Sequence, residues 1–294
     1  MDVTVVIRAA GERTEKLCQY IVEQQVPSSQ VFVIHERPFW KAVQKTFEIG
    51  ISEKRKWTLA VDADILMTDD CILKMTKRAS VSGDNLYIYQ GNIIDKVFGT
   101  VRGGGPHLYN SAHLKTALSF LEKNNQNHRP ESDTYKKLAS KGLLNVIDKY
   151  IYGIHDYYQY DLDYFRKGFF HAHKHRRDAC QFLTHWSRNL NIDSDYNILL
   201  NGWLEGNKHA RAEANINFFN SLDAYQSLKE SKDKLEKAEF KQLYEEVNKV
   251  IDDYKGETVF RVSPIPKKNL GSRILIKSGK YLISMGKHLI DLGK

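Results

Sequence analysis

Trp57-Thr-Leu-Ala-Val-Asp62-Ala-Asp64-Ile-Leu-Met67 carries an apolar, strand-forming run straight into two carboxylates one residue apart and then turns apolar again. In an open α/β sheet ligands bind at the carboxyl ends of the strands, so acids at such an end can face a crevice and share a divalent cation. Mg²⁺ or Mn²⁺ held by one or two carboxylates fills its remaining positions with water and substrate phosphate oxygens, which points to a nucleoside-diphosphate ligand. The same residues also fit a plain strand end followed by an Asp-rich turn, with Asp69 and Asp70 capping the next helix. The flanking sequence decides between the two.

Upstream, the β-branched run Val3 to Ile7 ends on Arg8-Ala9-Ala10-Gly11-Glu12-Arg13, after which Leu17, Tyr20 and Ile21 recur at helical spacing. Small residues at Ala9, Ala10 and Gly11 let backbone approach a ligand, and Arg8 and Arg13 can meet phosphate. A second strand, Gln30 to Ile34, ends on His35-Glu36-Arg37, and the stretch Phe39 to Ile51 is helical in pattern. Strand, helix, strand, helix, strand implies right-handed crossovers and a parallel sheet.

Downstream, a helix around Cys71 to Ala79 precedes a strand from Asn85 to Tyr89. Three glycines and a proline in Gly99 to Tyr109 predict a loop, either lying against substrate or serving as a turn. A helix over Ser111 to Lys123 follows, then Pro130-Glu131-Ser132-Asp133 opening a helix closed by Gly142. Capping explains those acids, and a carboxylate there can also serve as a general base. Leu144 to Ile151 reads as the last strand, with His155 just beyond its end.

The remaining chain is basic and helical. His171 and His175 would share a helix face, as structural residues or as half of a second metal site, while Lys174, Arg176 and Arg177 can meet phosphate. From Leu222 to Tyr254 alternating charges and periodic Leu, Val and Ile predict one or two long helices that cover the core or pair subunits.

The 294 residues carry 44 Lys+Arg against 36 Asp+Glu, a formal charge of +8 that favours an anionic partner. Cys18, Cys71 and Cys180 are too scattered for a disulfide framework or a zinc site, which fits a cytoplasmic setting. No run of about 18 apolar residues predicts a membrane span, and Met1 leads into a strand rather than a signal segment.

This order of features resembles the GT-A glycosyltransferases, especially the family 2 type, over residues 3–157. The resemblance implies a Rossmann-like α/β fold with a mostly parallel sheet flanked by helices and a helical C-terminal extension. It makes Arg8, Ala9, Gly11 and Arg13 the first nucleotide loop, Glu36 a base or ribose contact, and Asp62 and Asp64 the acids that grip a sugar nucleotide through Mn²⁺ or Mg²⁺. Arg102 to Tyr109 would be an acceptor loop, Glu131 or Asp133 the base that opens the helix ending at Lys141-Gly142, and His155 a third metal ligand. Residues 1–157 would then be the catalytic core, 158–221 the rest of the catalytic domain on the acceptor side, 222–266 a charged helical segment and 267–294 a tail. The expected partners are a nucleoside-diphosphate sugar and a glycan or lipid-linked glycan acceptor. An oligomer is allowed, and no nucleic-acid module is recognisable.

Two other readings compete. Ala9-Ala-Gly-Glu-Arg13 is similar to the first loop of sugar-phosphate nucleotidyltransferases, but lacks their second glycine and a following Pro-Lys. A non-catalytic protein binding anionic lipid or nucleic acid rests on charge alone. In the tail, Gly279, Gly286 and Gly293 mark a seven-residue repeat that places Leu282 and Leu289 on one side of a helix and Lys280, Lys287 and Lys294 on another. Such a basic amphipathic helix suits an anionic surface at the inner face of the membrane, and its apolar stripe equally suits the protein's own core or a second subunit.

Overall fold

The computed structural model describes residues 1–121, 130–209, 216–228 and 232–254. Seven strands form one sheet: β1 (Val3–Arg8), β2 (Val31–Ile34), β3 (Trp57–Asp62), β4 (Ile65–Met67), β5 (Leu86–Asp95), β6 (Thr100–Asn110) and β7 (Leu144–His155). Their order is β2-β1-β3-β6-β5-β7-β4. β1, β2, β3, β5 and β7 point one way, while β6 and β4 run against their neighbours. The sheet is therefore mixed, a Rossmann-like βαβαβ half joined through β6 to a second half.

Helices α1 (Glu15–Glu23), α2 (Phe39–Glu53), α3 (Cys71–Ser80), α4 (Leu114–Phe120) and α5 (Pro130–Ala139) are followed by α6 (Asp161–Lys174), α7 (Ala179–Asn189), α8 (Asp195–Asn207), α9 (Ile216–Asn220), α10 (Asp223–Gln226) and α11 (Phe240–Asp252). The largest core cluster joins Val5, Ile7, Leu59 and Val61 of the sheet to Leu17 and Ile21 of α1, Ile72 and Met75 of α3, and Phe240, Val247 and Ile251 of α11. A second cluster sets Val43 and Phe47 of α2 and Leu114 of α4 against Ala60, Ile88 and Tyr109. β-branched strands buried on both faces read as near-continuous apolar runs, which is why β1 and β3 were legible.

The glycine-rich stretch expected as a loop is strand β6. It forms a hairpin with β5 whose turn spans 96–99, with Gly99 at φ +66. Gly105 is small for packing, not for flexibility, because a Cβ there would lie 2.5 Å from Ile93 Cγ2 on β5. β7 runs four residues further than expected, so His155 is the last strand residue and not a loop residue beyond it. The helix expected over Ser111 to Lys123 is a short 3-10 turn followed by α4.

In the charged segment, α11 is the one long helix among the described residues, and it covers the core. Phe240 and Tyr244 ring centroids lie 5.7 and 6.5 Å from that of Tyr20 on α1. Burial of Phe240, Val247 and Ile251 favours docking by roughly 1.5–3 kcal/mol per side chain. The proposed boundary at 266 and the amphipathic tail lie outside the described residues, as do residues 122–129 between α4 and α5. No helix among the described residues is long and apolar enough to cross a membrane. Cys18 and Cys71 are buried free thiols and Cys180 is exposed.

Candidate functional site

Strand register assembles the site. β4 pairs with β7 so that Ile65 lies opposite His155, and β5 pairs with β7 so that Asp95 lies opposite His155. Asp64, just ahead of Ile65, therefore meets His155 from one side while Asp95 meets it from the other. His155 Nε2 is 3.3 Å from Asp64 Oδ2, and its Nδ1 is 3.0 Å from Asp95 Oδ2 and 3.2 Å from Asp156 Oδ2. Asp156 is held in the left-handed region at φ 62, a conformation Asp tolerates, with its N–H donating to the Asp64 carbonyl at 3.0 Å. Two cations close the cluster: Arg102 Nε donates to Asp95 at 2.6 Å, and Lys167 Nζ of α6 pairs with Asp156 and, at 3.3 Å, with Asp64.

Burial alone would push the His155 imidazole down, but the charges of Asp156, Asp64 and Asp95 prevail and raise it to about 10. Asp64 is likewise driven up by burial yet ends well below the ordinary carboxylate range because His155 and Lys167 face it. A folded value above the ordinary 6.5 means that the His155 contribution to stability is complete below about pH 6.5, declines from there to about 10 and is absent above. Urea midpoints of the metal-free protein should therefore fall across that window, and by less in His155→Gln. An identical decline in both proteins would contradict an ionised His155.

Asp64, His155 and Asp156 each offer a ligand atom within 4.8 Å of the others. Two hard carboxylate oxygens and an imidazole nitrogen fit Mn²⁺ or Mg²⁺ in type, provided the imidazole yields a proton and Lys167 withdraws. Asp62, expected to share the cation, is paired with Arg8. Its Oδ1 accepts from Arg8 Nε at 2.7 Å, and the third ligand atom of the group belongs to Asp156.

Arg8 organises a second cluster. Parallel pairing of β1 with β3 sets Arg8 beside Asp62, and its Nη1 donates to Glu131 Oε1 at 2.7 Å. Tyr109 donates to the same oxygen at 2.6 Å, and His107 Nδ1 is 3.3 Å from it. Burial would raise the Glu131 carboxyl, but Arg8 and His107 hold it far below the usual carboxylate range. Glu131 is thus a fixed anion with little basicity. Two residues on, Asp133 lies in the first turn of α5 with its side chain about a third exposed, 4.0 Å from Lys136.

The other expected contacts are distributed around these clusters. Ala9 is buried, donating to the Ile34 carbonyl, and Gly11 takes φ +95 with open space where a Cβ would stand. Arg8, read as able to meet phosphate, donates to two carboxylates. Arg13 donates to the carbonyls of Asp233 and Tyr158 and so ties the first loop to the C-terminal segment. Glu36 is exposed on the loop after β2, next to Arg37, which donates to the Ala10 carbonyl. Thr14 Oγ1 donates to the Ala63 carbonyl at 2.7 Å and accepts from Gln159, fixing the turn between Asp62 and Asp64.

His171 on α6 and His175, which follows its last residue, do lie on one side, but their rings pack on Phe98 at 4.8 and 5.3 Å. Burial pushes His171 down to about 3, as befits a neutral aromatic filler. Sequence reasoning did not bring Asp95, Asp156 or Lys167 to this cluster, and it read Arg102 as the start of an acceptor loop, not as a partner of Asp95. Asp156 adjoins His155 in the chain, which was the available signal for it. The other three come together only through strand pairing and helix packing.

No protein-family model matches this chain, and no curated protein matches it. Among solved structures it is similar to a glycosyltransferase involved in the glycosylation of the major capsid of PBCV-1, at 11% identity, over 51% of this chain and 82% of that one, with a TM-score of 0.37. It is similar to the bifunctional IspDF from Campylobacter jejuni at 11% identity, over 51% of this chain and 50% of that one, with a TM-score of 0.36. A cytidylyltransferase from Leptospira borgpetersenii serovar Hardjo-bovis matches at 10% identity, over 51% and 76% of the two chains, with a TM-score of 0.35.

Proposed function

We propose that this chain is a GT-A glycosyltransferase that moves a sugar from a nucleoside-diphosphate sugar to a hydroxyl of a glycan or lipid-linked glycan, with inversion, in cell-surface polysaccharide synthesis. The observation that carries the reading is the gathering of Asp64, His155 and Asp156 within 4.8 Å of one another, with the turn from Asp62 to Asp64 tied at Ala63 to Arg8 and Thr14 of the first loop. Asp64, His155 and Asp156 would hold Mn²⁺ or Mg²⁺, which when bound neutralises charge on the departing diphosphate. Asp62 and Glu131 keep Arg8 fixed, and Ala9 and Gly11 would let the nucleotide approach the backbone. Glu36, exposed after β2, would meet base or ribose.

Asp133 is the base that deprotonates the acceptor hydroxyl, because Glu131 is held as an anion by Arg8 and Tyr109. Asp133→Asn should lower kcat by about 10²–10⁴ with donor affinity unchanged. Near-normal turnover in that variant would remove Asp133 from the reaction.

The proposal is tested by anion-exchange chromatography of reactions of the protein with nucleoside-diphosphate sugars and Mn²⁺. Metal-dependent release of nucleoside diphosphate is expected. Release of pyrophosphate from a nucleoside triphosphate and a sugar 1-phosphate, without donor cleavage, would favour the nucleotidyltransferase instead.

A further inference from the structure

Lys167 reaches the Asp64–Asp156 pair from a helix that has little freedom to move. At Gly168 a Cβ would collide with the Leu199 carbonyl of α8, and at Gly202 of α8 a Cβ would collide with the Phe165 carbonyl of α6. The two helices therefore touch backbone to backbone on either side of Lys167 in sequence and space. Phe165 and Phe169, flanking it on α6, are fully buried. The carboxylates are fixed as well: Asp156 is 2% exposed and joined to Asp64 through its own N–H, and Asp64 sits in the turn that Thr14 pins. The Lys167 side chain is 29% exposed, so its four-carbon stem can carry the ammonium outward without moving the helix.

We propose that Lys167 is the resident counter-cation of the Asp64–Asp156 pair, and that it sets the affinity for a divalent ion, which enters by displacing the ammonium. This rests on the reading that Asp64, His155 and Asp156 are the ligands of that ion. Both of the pair's carboxylates face one Nζ, so the attraction that would draw in a metal is already partly satisfied by a tethered charge. A tethered ammonium has no translational entropy to lose, whereas a free ion does, which makes Lys167 an effective competitor. Its withdrawal leaves two buried carboxylates close together with His155 as their remaining counter-charge, an arrangement that an incoming divalent ion or a proton relieves. Lys167 is thus a positioning residue that acts through the two acids.

The test is a titration of the full chain with Mn²⁺ alone, reading free ion by electron paramagnetic resonance, in wild type, Lys167→Met and Lys167→Arg. Lys167→Met is expected to bind Mn²⁺ roughly 5–150-fold more tightly than wild type, the usual range for coupling between two ligands, and Lys167→Arg no more tightly. Equal or weaker binding by Lys167→Met, with wild type binding, would overturn the inference and leave the metal site standing. No binding by either protein would overturn both. A second measurement uses wild type only: reductive methylation of Lys167, followed by mass spectrometry, should accelerate on adding Mn²⁺ relative to Lys16, whose side chain is 69% exposed. An unchanged ratio with Mn²⁺ bound would also overturn it.

Discussion

Asp64→Asn should lower sugar transfer by about 10²–10³ or more while leaving a folded protein, the scale seen when one charge-stabilising group is removed from an active site. Asn keeps the shape of the turn between β3 and β4 but removes the one carboxylate that faces both His155 Nε2 and Lys167 Nζ at 3.3 Å. The fold does not need that charge, since the turn is held by Thr14 and by pairing of Ile65 with His155. Transfer rates should be read beside far-ultraviolet circular dichroism and the Mn²⁺ titration. Wild-type turnover by a folded Asp64→Asn protein would remove Asp64 from the chemistry.

Arg8→Met has the largest expected effect on stability. Arg8 is 6% exposed, and its guanidinium separates Asp62 from Glu131, itself 8% exposed. Without it two carboxylates face each other with only Tyr109 and His107 to solvate one of them. Breaking a buried pair by removing one partner costs about 3–5 kcal/mol, read here as a lower urea midpoint. The sign of the pH dependence follows from Glu131, whose folded carboxyl lies below its unfolded value. Its contribution is present above the ordinary carboxylate range and is lost as pH falls through and below that range, so the gap between wild type and Arg8→Met should narrow in acid. A loss under about 1 kcal/mol at neutral pH would mean that the carboxylates find other partners.

What the sequence revealed and what it hid divide along contact range. The first half was legible because β1, α2, β3 and α3 each bury an unbroken or periodic apolar face, and consecutive βαβ units leave little choice of topology. Asp64 and His155 were legible because both stand at strand ends. β6 was not, since glycine and proline mark loops locally while Gly105 in fact answers a neighbour across the sheet. Asp95 and Lys167 were hidden for a related reason. Asp95 adjoins a turn, where Asp usually serves the backbone, and it does accept from the Phe98 N–H. Its approach to His155 depends on the β5–β7 register, and that of Lys167 on a glycine contact between α6 and α8. Asp62 was read with Asp64 because they are neighbours in the chain, yet the turn sends one to Arg8 and the other to His155.

Anomalous scattering from crystals of the protein grown with Mn²⁺ and a nucleoside diphosphate would locate the cation that Asp64, His155 and Asp156 are proposed to hold in a nucleotide-sugar transferase. A single strong manganese peak bonded to Asp64, His155, Asp156 and a phosphate oxygen is expected, with Lys167 Nζ withdrawn from both carboxylates. A nucleotide bound without manganese at these residues, or manganese bound elsewhere with Lys167 still seated between Asp64 and Asp156, would contradict that assignment.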